Sequence, residues 1–172
     1  MYYVPKKLPR NACVTALILF GAAASLFFIS EFFAPRLAFQ LLALIAVSVA
    51  IFLVSRYVLT DYKYVITDID APGDEIKFTI VKINGKREAI MATFELKDAY
   101  ALEKCRTTKE FERIHGKVTK LYSYVSNFMS GDVYKLAINF NNMKVLFSIE
   151  ISEQFATEIK ARIPENTDKN DK

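Results

Sequence analysis

Two uncharged apolar runs, Ala12–Ser30 and Leu37–Ser55, dominate the first third of the chain. Each is 19 positions long and they are separated by Glu31-Phe32-Phe33-Ala34-Pro35-Arg36. At the helical rise of about 1.5 Å per residue each run reaches about 28 Å, close to the hydrocarbon thickness of a bilayer. Glu31 and Arg36 would be costly at mid-bilayer, and Pro35 suits the first turn of a new helix better than the middle of a long one. The pattern therefore predicts a transmembrane helical hairpin, with spans at 12–30 and 37–55 after an N-terminal segment, 1–11. Gly21, Ala24 and Ser25 on the first run, and Ala43, Ala46 and Ala50 on the second, are the small residues expected at the helix–helix contact. A cleaved signal peptide is the competing reading of the basic start and the run Val14–Phe20. Against it, Leu26-Phe27-Phe28-Ile29 stays apolar beyond the small residues Gly21-Ala22-Ala23-Ala24.

Beyond a short linker, 56–61, the apolar period changes from that of helices to that of strands. Tyr62–Thr67 is rich in strand formers, and Asp70, Pro72 and Gly73 mark a turn. Ile76, Phe78 and Ile80 share one face of Glu75–Ile83. Asn84-Gly85 predicts a type I′ hairpin turn, with the return strand at Lys86–Phe94. The segment Leu96–Arg106 fits a strand or a helical turn equally, and the polar stretch Thr107–Gly116 reads as a connection. Lys117–Ser126 alternates cleanly. Val133–Phe140 and Met143–Ile149 form a second hairpin around Asn141-Asn142. Then the period becomes helical again: Ser152 is an N-cap, Phe155, Ile159 and Ile163 recur every four residues, and Pro164 ends the element. A β domain over 62–163 is expected, with six or seven antiparallel strands joined by hairpins and one closing helix. The polar tail, 164–172, is expected to be disordered.

The strand order and closing helix resemble the pleckstrin-homology-like (PH-like) fold. The junction Tyr57-Val58-Leu59-Thr60-Asp61-Tyr62 resembles the Y-x-L-T-D-x phrase that opens bacterial PH-like domains placed directly after a two-helix membrane hairpin. Lys144–Ile163 is similar to their last strand and helix. The fold class is thus α+β, a transmembrane hairpin followed by an antiparallel PH-like sheet or barrel capped by a C-terminal helix. The resemblance implies a membrane-tethered binding module. One departure bears on the ligand. The loop Asp68–Glu75, where phosphoinositide-binding PH domains gather basic residues, carries Asp68, Asp70, Asp74 and Glu75 here. No specific phosphoinositide is expected.

Charge refines this picture. The net charge is +4, but Lys6, Lys7, Arg10, Arg36 and Arg56 flank the apolar runs and Glu31 is the only acid among them. From Tyr57 onward 18 basic residues face 18 acidic ones. The excess therefore reports orientation in a membrane, and no nucleic-acid surface is expected. Positive flanks on both sides of the hairpin place both termini in the cytoplasm, in the inner (plasma) membrane. Two cysteines, Cys13 and Cys105, make no disulfide framework.

Candidate chemistry is thin. His115 is the only histidine, too few for an ordinary metal site, so neither metal nor cofactor is expected. Cys105 and His115 form a conceivable nucleophile–base pair, with a buried thiol and a loop histidine as the plainer account. Phosphate-binding glycine loops and nucleophile elbows are missing from the sequence, and a non-enzymatic protein is expected. Lys104, Arg106, Lys109, Arg113, Lys117 and Lys120 form a basic run that either meets anionic lipid or is an ordinary solvated loop. The partners expected are the bilayer and a membrane protein or a second copy. A lipid-surface sensor is the alternative, and a membrane-associated enzyme acting through Cys105 is a further one.

Overall fold

A computed structural model describes residues 1–6, 10–33, 35–68, 76–128, 130–141 and 143–164. Lys7, the acidic residues Asp70, Asp74 and Glu75, Asn142 and the tail from Glu165 lie outside the described residues. The chain divides into two compact units. One contains the long helices, their connection and residues 126–128. The other contains the N-terminal residues and the rest of the chain from Tyr62.

In the helical unit, α1 (Arg10–Ile29) and α2 (Arg36–Leu53) are joined by a connection in which Arg36 pairs with Glu31 at 3.4 Å. Both helices are long and apolar enough to cross a membrane. Most of their buried residues are small: Ala12, Ala16 and Ala23 on α1, and Ala43 and Ala50 on α2, with Leu53 buried at the end of α2. Ala46 is half-buried beside them. The expected seam on α1 is corrected here, because Gly21, Ala24 and Ser25 are exposed. Small residues occur on more than one face of α1. The Ser25 hydroxyl is satisfied by donating to the Gly21 carbonyl of its own helix, 3.0 Å away, and needs no second helix. After α2 the helix continues as a π-helical turn, Val54–Val58, so only Leu59 separates helix from strand. The 56–61 segment is therefore not an extended linker. Tyr57 and Phe128 pack their rings 5.3 Å apart within this unit.

The β unit holds two four-stranded sheets. The first has the order β1 (Tyr2–Tyr3), β2 (Thr60–Asp68), β3 (Ile76–Asn84), β4 (Arg87–Glu95). A 3₁₀ turn, Leu96–Asp98, leads into the second sheet, so 96–106 is mostly strand. Its strands are β5 (Ala99–Lys104), β6 (Lys120–Tyr124), β7 (Val133–Phe140) and β8 (Met143–Glu150), in the order β5-β7-β8-β6. The helix α4 (Glu153–Lys160) starts where Ser152 accepts from the Phe155 amide at 3.3 Å, and buries Phe155 and Ile159. The core between the sheets includes a chain of rings running Tyr64, Phe78, Phe94, Phe147, with successive centroids 6.3, 5.4 and 5.1 Å apart. Tyr64 is fully buried and its hydroxyl ties the sheets together. It donates to the Tyr124 carbonyl at 2.6 Å and accepts from the Glu150 amide at 3.0 Å.

Four further features depart from the sequence reading. Thr107–Gly116 is not a plain connection: α3 (Thr108–His115) forms there. It is capped by the Thr107 hydroxyl, which accepts from the Glu110 amide, and ended by Gly116 at φ 82°. Its Phe111 is fully buried against Ala101, Ala137 and Leu146 on the outer face of the second sheet. That crossing carries the chain from β5 at one edge to β6 at the other, which is why β6 runs parallel to β8 and not antiparallel. The first hairpin turns on Gly85-Lys86, one residue later than expected, with Asn84 paired to Arg87. Gly85 has a positive φ (61°) and Lys86 does not, so the turn is not type I′. Finally, β1 pairs antiparallel with β2, Tyr2 opposite Val65, and the Met1 ammonium donates to the Ile66 carbonyl at 2.7 Å.

Candidate functional site

At the edge of the first sheet lies β4, hydrogen-bonded among the described residues to β3 alone. Phe94 anchors one end in the core, but Arg87–Met91 are all exposed, and Ile90 is 72% accessible. The register skips between Ile80 and Val81, leaving Met91 as an extra residue on β4. A bulge of this kind bends the strand away from its neighbour. Next to this edge lies an apolar groove of about 220 Å³. Its floor is Phe94, Ile138, Val145 and Phe147, and its walls include Ala92, Tyr122 and Phe140. Phe140 and Tyr122 are themselves exposed, at 52% and 42%. Lys120 is the one charged residue among the groove's lining. Exposed rings beside an unpaired strand edge form a surface suited to an extended polypeptide.

The six basic residues singled out from sequence do not gather in one place. Lys109 and Arg113, one turn apart on α3, line a shallow cleft with Thr107 and Glu110. Lys104 is held by Asp132 at 2.8 Å, which keeps its ammonium protonated beyond the ordinary range, and it lies 5.7 Å from the Tyr134 ring centre. Arg106 and Lys117 are exposed on the connections flanking α3. Lys120 belongs to the apolar groove.

Cys105 and His115 also have separate surroundings. Cys105 is buried in the small cluster under α3 with Ala101, Phe111, Ala137 and Leu146. Burial, followed by the nearby Glu110 and Glu103, pushes its thiol up, away from the reactive thiolate. The His115 ring lies 4.7 Å from that of Phe111 and lines a different cavity. This cavity, of about 680 Å³, opens between β5, the end of α3 and the end of α4. Among the described residues no three or more His, Cys, Asp or Glu side chains cluster in a way that could hold a metal.

A protein-family model described as Bacterial PH-like domain (DUF6106) matches residues 2–168. The chain belongs to this bacterial PH-like family. No curated protein matches the chain, and no solved structure does. The match takes in β1 and both apolar helices as well as the sheets, so the helical unit is part of what the PH-like family shares. The resemblance read from the Tyr57–Tyr62 phrase and the closing helix is thereby confirmed. Sequence reasoning did not locate the β4 groove. Its lining comes from four separate strands, β4, β6, β7 and β8, which no local pattern joins.

Proposed function

We propose that this PH-like protein is anchored in a bilayer by α1 and α2 and uses its β unit as a non-enzymatic docking module at the cytoplasmic face. The observation that carries the docking reading is the apolar groove beside the unpaired edge of β4. Its occupant is an extended, apolar segment of a membrane-protein partner bearing an acidic residue. The edge supplies backbone hydrogen bonds, Phe140 and Tyr122 supply apolar contact, and Lys120 supplies the single charge to be matched.

Two features support the membrane arrangement. Basic residues Lys6, Arg10, Arg56 and Lys63 flank the hairpin, while its connection carries the Glu31–Arg36 pair. In addition, β1 precedes α1 and β2 follows α2, yet they are partners in one sheet. Chain on both sides of the hairpin therefore lies in one compartment, which requires an even number of crossings. A reporter fused at the C-terminus is expected to be active only in its cytoplasmic form. Activity of an exported reporter would reverse the orientation.

Docking is tested with a photocrosslinking residue at position 140 in the full chain in cell membranes. One dominant adduct is expected, its crosslinked peptide apolar and acid-bearing, and Lys120→Glu should reduce its yield at least about tenfold. An adduct with a second copy of the chain would replace the partner by self-association. Crosslinks confined to lipid would remove the docking reading.

A further inference from the structure

The larger cavity carries an inference independent of the docking groove. Among the described residues two buried side-chain polar atoms have no hydrogen-bond partner, the Tyr100 hydroxyl and His115 Nε2. Both residues line this same cavity. Buried polar atoms without partners are costly, commonly about 1–3 kcal/mol each, and two on residues lining one cavity point to a group that satisfies them. The Lys144 ammonium stands at the same place. It lies 5.5 Å from the Tyr100 ring centre and donates to the His115 carbonyl at 3.3 Å, at the C-terminal end of α3. Lys160 also lines the cavity, 3.7 Å from the Glu103 carboxylate.

The charge count and the wall chemistry narrow the ligand. Two ammonium groups face one carboxylate, an excess of one positive charge. A phosphate monoester, with a charge of about −1.5 to −2, overshoots that excess, and a carboxylate matches it. Burial raises the Tyr100 phenol above its ordinary range, so it remains a donor. The rest of the wall mixes the apolar Ala101, Leu102, Ile114, Ile163 and Pro164 with the polar Asn139, and Ile114 is 60% exposed. A volume of about 680 Å³ lies within the usual span for small-molecule sites.

We propose that the cavity between β5, α3 and α4 binds a small organic carboxylate with an apolar body. The carboxylate sits against Lys144, the Tyr100 hydroxyl and His115 Nε2, and the body covers Ile114 and Ile163. Such a molecule comes from solution or, as a fatty acid, from the bilayer.

His115 is the only histidine, so its ring Cε1–H signal is a unique NMR reporter in the full chain in lipid nanodiscs. Benzoate tests the soluble source, oleate the bilayer source, and inorganic phosphate the competing anion. A saturable shift of the His115 signal is expected with benzoate or oleate, and whichever binds more tightly names the source. Lys144→Met should weaken that binding at least about tenfold, the loss expected for a charge-assisted hydrogen bond. Tyr100→Phe should weaken it about three- to tenfold without moving the free-state melting temperature downward, since it removes an unpaired hydroxyl. Lys160→Met gives an independent variant if Lys144→Met fails to fold. The proposal falls if neither carboxylate produces a saturable shift, if the variants bind as the parent does, or if phosphate binds more tightly than both carboxylates.

Discussion

The phenylalanines of the two units are used in opposite ways. In the helical unit Phe27, Phe28, Phe32 and Phe52 are more than half exposed, while five of the buried positions on α1 and α2 belong to alanines. In the β unit Phe78, Phe94, Phe111, Phe147 and Phe155 are all buried. Burial from water stabilises a large apolar side chain by about 1.5–3 kcal/mol. In lipid, helix association depends on close approach of backbones, which alanine permits and phenylalanine prevents. The contrast accords with the bilayer anchoring proposed for the helical unit.

Matched substitutions test this contrast directly. Phe78→Ala is expected to cost about 3–5 kcal/mol and to lower the β unit's melting transition by near-UV circular dichroism. Phe28→Ala in the full chain in nanodiscs should change helix content and stability by less than about 0.5 kcal/mol. Equal losses from the two would remove this support for the bilayer anchoring. Tyr64→Phe is expected to cost about 1–3 kcal/mol in the β unit, because it deletes the donor to the Tyr124 carbonyl and the acceptor of the Glu150 amide. Burial and the adjacent Glu150 both hold the Tyr64 phenol far above its ordinary range, so this contribution should persist in alkali up to the limits of the fold. In the helical unit the small residues become the sensitive ones. Ala50→Leu, at a fully buried position, should cost about 1–3 kcal/mol of helix–helix stability in a detergent titration, and Ala24→Leu should cost less than about 0.5 kcal/mol.

The contrast also explains what could be read in advance. The two apolar helices, the Val133–Glu150 hairpin and α4 each carry their instruction locally, as an unbroken apolar run, an Asn pair between alternating strands, and a Ser152 cap before a four-residue spacing. The apolar seam on α1 was misplaced because it offers small residues on several faces, and α2 decides which face is covered. The helix α3 was read as a connection because only Phe111 is buried on it, although the Thr107 and Glu110 pair and Gly116 mark its two ends. The strand β1 is two residues long and exists only through its partner in β2. Both candidate sites were invisible for the same reason: Tyr100, His115 and Lys144, like Ala92, Tyr122 and Phe140, meet only through long-range pairing.

The β unit buries a lysine and a glutamate, Lys135 and Glu150, and the first supplies the smallest effect. Lys135 is only 6% exposed and donates to the Ser148 hydroxyl at 2.6 Å, paired across β7 and β8. Burial pulls its ammonium below the ordinary lysine value, opposed weakly by Cys105. The proton is thus held more tightly in the unfolded chain than in the folded one. Unfolding takes up a proton between the folded value and the ordinary lysine value of 10.5, so this residue makes stability rise as pH climbs through that window. At neutral pH the penalty for the buried charge is fully present. Removing both partners in Lys135→Met/Ser148→Ala should therefore raise stability at pH 7 by about 1 kcal/mol and flatten the alkaline rise relative to the parent. Urea midpoints at pH 7 and pH 10 measure both quantities. A double variant less stable than the parent at pH 7, with the alkaline rise intact, would mean that the ammonium is solvated in the folded chain.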